Sequence, residues 1–448
     1  GRSVGVPGTI AVLALAHKEQ GRLKWADLFA PAIAIAENGF AVSPRLANAI
    51  ERDPVLASLP DMASYFRPNG KALQVGDTLK NPDYAATLRE IAAKGLDGFY
   101  RGRIAEAIVS AVKIAPRGAV DFTLADLANY KPKKRPPLCG TYRFYKICSM
   151  GPPSSGGVTM LQTLKLMERF DVSKLAPSSP QAIHLITEAE RLAFADRGLY
   201  VGDPDFVSVP VTGMIAPGYI AKRSRALSLQ TIMDRAKIDP GKPKGANLAL
   251  RQREIRNYAR PGTAHLSVID ADGNALAMTT TVEGPFGSHL LTAGFILNNQ
   301  LTDFSFEPTK DKYRLANAPA AGKRPMSSMT PTIVFDRQGK VAAVLGSPGG
   351  WRIIPYVTKT LVALIDWKMD MASAIKLPYV ASRGGPTELE KGREAELGAS
   401  ADALRAMGHD IAIPDLGVAV SGVNAIRVTS EGFDAAADPR REGTVGGD

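Results

Sequence analysis

No stretch of this chain holds the roughly 18 consecutive apolar residues that a membrane-crossing helix requires. The amino end, Gly-Arg-Ser-Val-Gly-Val-Pro-Gly, has no basic start followed by an apolar core, so no signal peptide is read there. A chain trimmed of its leader would look the same. Histidine is scarce, at five residues, and cysteine scarcer, at two. Neither Cys139 nor Cys148 has a histidine close by, which leaves no zinc site to build, and no pattern calls for a cofactor. Internal repeats and low-complexity tracts are missing. The basic clusters at 131–135 and 222–225 carry no aromatic residue and that at 237–260 has Tyr258 alone, so the net charge of +11 reads as a basic soluble protein, not a nucleic-acid binder.

What remains is globular composition, 448 residues with 45% hydrophobic and 22% charged, enough for two or three structural units. Apolar periodicity predicts helices over 9–20, 24–38, 43–52, 84–94, 101–113 and, most strongly, 180–200, where His184 reads as a packed core residue. Cys139 and Cys148 lie across a hairpin expected at about 136–149. Opposed positions there suit a disulfide and an oxidising compartment, and two free core thiols fit as well. Ser154-Ser155-Gly156-Gly157 then leads into a helix, as an anion-holding turn or simply a tight one.

From about 230 to 262 charged residues and two prolines, Pro240 and Pro243, break every period and mark a solvated linker. It separates a helix-rich region, 1–262, from a β-rich region, 263–448. The second region opens with two β-runs, Ala264–Ile269 and Ala275–Val282, around the turn cluster Asp270–Asn274. Gly262-Thr263 stands at the junction. A threonine hydroxyl needs a neighbouring base, and its own α-amine serves only if the chain is cut immediately before it. Glycine and a linker suit such a cut, although a Gly-Thr pair alone usually marks no more than the start of a strand.

Longer motifs decide the matter. G-T-A-H-L-S-V-I-D-A-D-G-N-A, T-T-T, N-N-Q-L-T-D-F-S, R-P-M-S-S-M-T-P-T-I and S-P-G-G-W-R-I-I follow one another after residue 262. Before it come G-V-P-G-T, G-P-P-S-S-G-G and H-L-I-T-E-A-E-R-L-A-F-A-D-R with G-D-P-D-F. In this order they resemble the γ-glutamyltranspeptidase family. The resemblance implies an α+β fold, the four-layer αββα sandwich of N-terminal-nucleophile hydrolases, and a precursor that cuts itself into 1–262 and 263–448, which stay associated. It also implies that Thr263 is the nucleophile, with its freed amine as base. Thr281 matches the threonine that hydrogen-bonds it, and Gly349 and Gly350 match the oxyanion-hole pair. Gln300 and Asp303 match holders of the donor's α-ammonium, and Ser327 and Ser328 match contacts of its α-carboxylate. The implied substrates are a glutathione-like γ-glutamyl amide and an amino-acid or peptide acceptor, and the implied compartment is periplasmic or secreted.

Three departures shape the expectation. Glu283 stands where γ-glutamyl-processing members carry Asn; it suits an α-ammonium or favours a different acyl group. The segment between Ser305 and Lys323 is short for a full lid, with Tyr313 as a partial substitute. The family's upstream Arg-Glu-x-Ala-Pro segment has no counterpart, since Arg89-Glu90, Arg253-Glu254, Arg393-Glu394 and Arg441-Glu442 lie in no such context. The chain therefore reads as lacking the family's N-terminal segment. A glutaryl (cephalosporin) acylase and an unprocessed, inactive remnant are the alternative readings.

Overall fold

The computed structural model describes residues 1–235, 238–247, 262–310, 313–417 and 420–447. Much of the expected linker therefore lies outside the described residues, as does the side chain of Tyr313. The chain divides into two compact units. Unit 1 comprises Gly1–Arg135 and Thr281–Thr302, with Gly262. Unit 2 comprises Thr263–Thr280, Asp303–Asp448 and the described part of Pro136–Ala259. The units are interleaved along the sequence, which is a different division from a cut at one peptide bond.

Unit 1 is mainly helical. Helix Thr9–Gln20 forms as its periodicity predicts. The stretch 24–38 is not one helix: Trp25–Phe29 makes a 3-10 turn, and the helix proper is Ala30–Asn38 with a proline in its first turn. Pro31 has no N–H to give a preceding turn, so it favours a helix start there. Two apolar clusters hold the unit, one around Ile104, Ile108 and Leu127 and one around Ile50, Leu56 and Met62.

Unit 2 carries the sheet. Its strands are β1 (Leu138–Tyr142), β2 (Tyr145–Ser149), β3 (Thr263–Ile269), β4 (Ala275–Thr281, whose last residue belongs to unit 1), β5 (Thr332–Phe335), β6 (Val341–Gly346), β7 (Asn424–Thr429) and β8 (Gly432–Ala437). Six of them form one sheet in the order β8-β7-β6-β5-β2-β1, and β3 pairs with β4 as a separate hairpin. Its principal helices are α1 (Gly156–Met167), α2 (Pro180–Tyr200) and α3 (Ile353–Ile365).

Strand alternation sorts the two faces of the sheet. Ile147, Val334, Ala343, Leu345 and Ala425 point into one apolar cluster with residues of α1, α2 and α3. The opposite face carries Gly346 and Asn424, paired across β6 and β7. Here the β3–β4 hairpin packs: a Cβ on Gly346 would lie 2.3 Å from the His265 ring, and Asn424 donates to the His265 carbonyl at 3.0 Å. Unit 2 is thus helices, sheet and hairpin in layers. A helix absent from the periodicity reading, Glu394–Ala406, covers a separate cluster through Leu397, Ala401 and Leu404.

Cys139 and Cys148 face each other in the β1–β2 register and are disulfide-bonded. Thiol titration of the unfolded chain should find no free thiol before reduction. Replacing both cysteines by alanine should lower the unfolding free energy by about 2–3 kcal/mol, the loop-closure value for so short a loop, read from denaturant midpoints.

The buried histidines make the fold acid-sensitive. His184 is fully buried, as read from the sequence. Arg191 donates to Thr387 Oγ1 at 2.8 Å, Thr387 to His409 Nδ1 at 2.7 Å, and His409 Nε2 meets His184 Nδ1 at 2.7 Å. That directional chain runs only with both rings neutral. Burial, with His184 adding to it, holds His409 down at about 3, and burial holds His265 at about 4. Because unfolded histidines take up protons that these rings refuse, stability falls as pH drops from about 6.5 toward 4. Calorimetry across that window should show a steep fall in Tm and a shallower one in His265→Asn; equal slopes would contradict it.

Candidate active site

Thr263 opens β3 and is 7% exposed. Its carbonyl accepts from Arg441 Nη1 at 3.1 Å, so the residue is fixed from its C-terminal side. Two residues on, His265 lies between Thr279 Oγ1 at 2.8 Å and Ser267 Oγ at 3.1 Å. Ser267 gives its proton to the Asn424 carbonyl and can only accept from the ring, which places the ring proton on Nε2. The hairpin is therefore seated on the sheet by polar contacts beneath Thr263.

Gly349 and Gly350, in the same unit, end the turn between β6 and α3. Both have positive φ, 138° and 62°. A Cβ on Gly349 would lie 2.6 Å from the Tyr356 ring, so a side chain is excluded by conformation and by space. Backbone N–H groups in such a turn, ahead of a buried helix, are suited to a developing oxyanion.

Ser327 and Ser328 form the third part of unit 2. Ser327 bridges Ser154, and its carbonyl accepts from both the N–H and the hydroxyl of Ser155. Arg197, on α2, donates to Ser155 Oγ at 2.7 Å and to Ser328 Oγ at 2.8 Å. Ser327 Oγ accepts from the Met329 N–H at 3.1 Å. Each hydroxyl has its acceptor side occupied, so each has its own proton to donate, and two adjacent donors suit a carboxylate. The Ser-Ser-Gly-Gly turn works here as a tight turn: a Cβ on Gly156 would meet Thr330 Oγ1 at 2.1 Å. Asp303 is held through its carbonyl by Asn317 Nδ2 at 2.6 Å.

Thr281, Glu283 and Gln300 belong to unit 1. Glu283 sits at φ 73°, uncommon for a residue with a Cβ, and its N–H donates to Thr281 Oγ1 at 2.8 Å. Its carboxylate accepts from Asn299 Nδ2 at 2.8 Å; burial raises its pKa and that bond opposes the rise. Its carbonyl accepts from the Gly262 N–H at 2.5 Å. Gly262 has no room for a side chain, because a Cβ would lie 2.1 Å from the Gly284 carbonyl oxygen. Gln300 donates its N–H to Asn298 Oδ1 at 2.9 Å. Sequence reasoning gave no role to Arg197 or Arg441. The first lies in the quoted F-A-D-R motif, whereas the second is 178 residues from Thr263 and left no local signal.

The γ-glutamyltranspeptidase family model matches residues 1–447. The glutathione hydrolase proenzyme of Escherichia coli (strain K12) is 37% identical over 449 residues, covering 97% of this chain and 73% of that protein. The acylase ACY 1 proenzyme of Pseudomonas sp. (strain SE83) is 37% identical over 447 residues, covering 99% of this chain and 75% of that one. Among solved structures, a cephalosporin acylase from Bacillus halodurans superposes with a TM-score of 0.83 at 25% identity, covering 100% of this chain and 78% of its own. The fold class is accordingly the α+β sandwich of the N-terminal-nucleophile hydrolases, as the motifs implied. The chain belongs to the γ-glutamyltranspeptidase family.

Proposed function

We propose that this protein cuts itself before Thr263 and then moves a γ-glutamyl group from a glutathione-like amide, through an ester on Thr263, to water or to an amino acid or peptide. The observation that carries the reading is Thr263: a buried threonine at the head of a strand, behind a glycine whose place admits no side chain. The glutathione hydrolase relatives support the acyl group.

In self-cleavage, Thr263 Oγ attacks the Gly262 carbonyl carbon and the C–N bond breaks. The resulting ester is hydrolysed by water, leaving a Gly262 carboxylate and a free α-amine on Thr263. In turnover that amine takes the proton from Oγ as Oγ attacks the donor's γ-carbonyl. The Gly349 and Gly350 N–H groups receive the oxyanion, and the proton passes to the departing amine. Water or an acceptor amine then attacks the ester with the same base. Asp303 holds the donor's α-ammonium and the Ser327–Ser328 hydroxyls its α-carboxylate. For Thr281, Glu283 and Gln300 the reading rests on the resemblance alone.

Fragments 1–262 and 263–448 stay together after the cut on this reading, because β2 from the first is hydrogen-bonded along β5 from the second, Ser149 opposite Thr332 through Lys146 opposite Phe335. The Cys139–Cys148 bridge supports an oxidising compartment, periplasmic or extracellular.

Wild-type protein should hydrolyse γ-glutamyl-p-nitroanilide, and Thr263→Ala should show no turnover above background; turnover by the variant would remove Thr263 from the chemistry. A glutaryl acylase is the second reading, favoured by Glu283 and by the acylase relatives. Glutaryl lacks the α-ammonium. On the main reading Asp303→Asn lowers kcat/KM for the γ-glutamyl anilide about tenfold or more, the scale of one lost charged contact of about 1.4 kcal/mol, and leaves the glutaryl anilide unchanged. A wild-type preference for the glutaryl anilide would instead establish the acylase.

A further inference from the structure

We propose that Arg441 is a positioning residue that holds the nucleophile at its working place by gripping the Thr263 carbonyl; this rests on the reading of Thr263 as nucleophile. Three contacts within unit 2 aim the side chain. Nη1 donates to the Thr263 carbonyl at 3.1 Å, and Nε donates to the Val420 carbonyl at 2.9 Å. The stem lies over Gly422, where an added Cβ would stand 2.5 Å from Arg441 Cδ and 2.8 Å from Pro348 Cγ. The Gly422 N–H in turn reaches Ser347 Oγ at 3.3 Å, and that hydroxyl donates to the Pro348 carbonyl at 2.6 Å. Arg441 therefore joins the first residue of β3 to the Ser347-Pro348 turn that carries Gly349 and Gly350.

The base of the side chain is fixed independently. The Arg441 N–H donates to the Asp438 carbonyl at 3.1 Å, and the buried Asp438 carboxylate takes the hydroxyls of Ser421 at 2.5 Å and Tyr379 at 3.1 Å. Neighbouring Arg440 turns the other way, to Glu390. The two arginines are thus not interchangeable.

Once the bond before Thr263 is cut, the residue loses its anchor on the amino side. The backbone of β3 and the Arg441 grip then fix where Oγ and the α-amine lie relative to the turn. A nucleophile displaced by about 1 Å costs about 100-fold in rate without weakening substrate binding equally. A two-point guanidinium can hold two carbonyls at a set separation, which the point charge of lysine cannot.

The test compares wild type with Arg441→Ala, Arg441→Lys and Thr263→Ala on γ-glutamyl-p-nitroanilide, with and without guanidinium chloride at concentrations below those that unfold the protein. The expected result is a kcat about 10- to 100-fold lower in Arg441→Ala, with KM within about threefold. Guanidinium should restore at least about fivefold of that loss while leaving wild type and Thr263→Ala unchanged, and Arg441→Lys should recover little. Unaltered kcat in Arg441→Ala, or a loss that guanidinium does not relieve, overturns the proposal. If Arg441→Ala fails to fold, Arg441→Lys decides: wild-type kcat in that variant refutes the guanidinium grip. An active Thr263→Ala would sink the nucleophile reading itself, whereas an inactive Thr263→Ala beside a fully active Arg441→Ala would sink only this inference.

Discussion

A helix buried over most of its length that carries charged residues is the constraint on which unit 2 depends. Every residue of α2 from Ala182 to Arg197 is buried, and Glu188, Glu190, Arg191, Asp196 and Arg197 are among them. A buried charge without partners costs several kcal/mol, so the surrounding loops must come to these groups. The Asp196 carboxylate receives Gln162, Tyr219 and the Gly241 N–H at 2.5, 2.6 and 2.7 Å. The carboxylate of Glu190 takes the Ser382 N–H at 2.7 Å, and that of Glu188 takes the Met233 N–H at 2.7 Å. Arg191 reaches the Gly385 carbonyl and Thr387, and Arg197 reaches Ser155 and Ser328. The polarity that costs most to bury is what fixes the loop bearing the serine pair.

The second constraint is the closeness of the hairpin to the sheet. His265 lies over a glycine and is braced by Thr279, Ser267 and Asn424, so β3 sits at one height above β6 and β7. Thr263 inherits that height. Gly349 and Gly350 follow the end of the same β6, two and three residues beyond Ser347. A strand-opening threonine and a glycine turn that both grow from stacked strands need no flexible loop to bring them into order.

Much of this was legible in the sequence. The helices Thr9–Gln20 and Pro180–Tyr200 have strong local periods and formed where the pattern put them. The 24–38 stretch reads as one helix because periodicity does not register a proline that starts a helix instead of breaking it. Helix Glu394–Ala406 escaped because Ser400 and Ala401 fill its core side between Leu397 and Leu404, so small residues replaced the expected large ones. The site residues came from extended motifs rather than from spacing. Arg441 was invisible for a simpler reason: its partner is a backbone carbonyl, which no side-chain pattern encodes.

The central claim is that Thr263 becomes a chain terminus and then an ester. Intact-mass and N-terminal peptide mass spectrometry of the purified protein, before and after brief exposure to a γ-glutamyl donor and acid quenching, tests it most directly. The account predicts two fragments, the smaller beginning at Thr263, and a γ-glutamyl mass increment confined to that residue. A single intact chain, a new terminus at any other position, or an increment on another residue would contradict it.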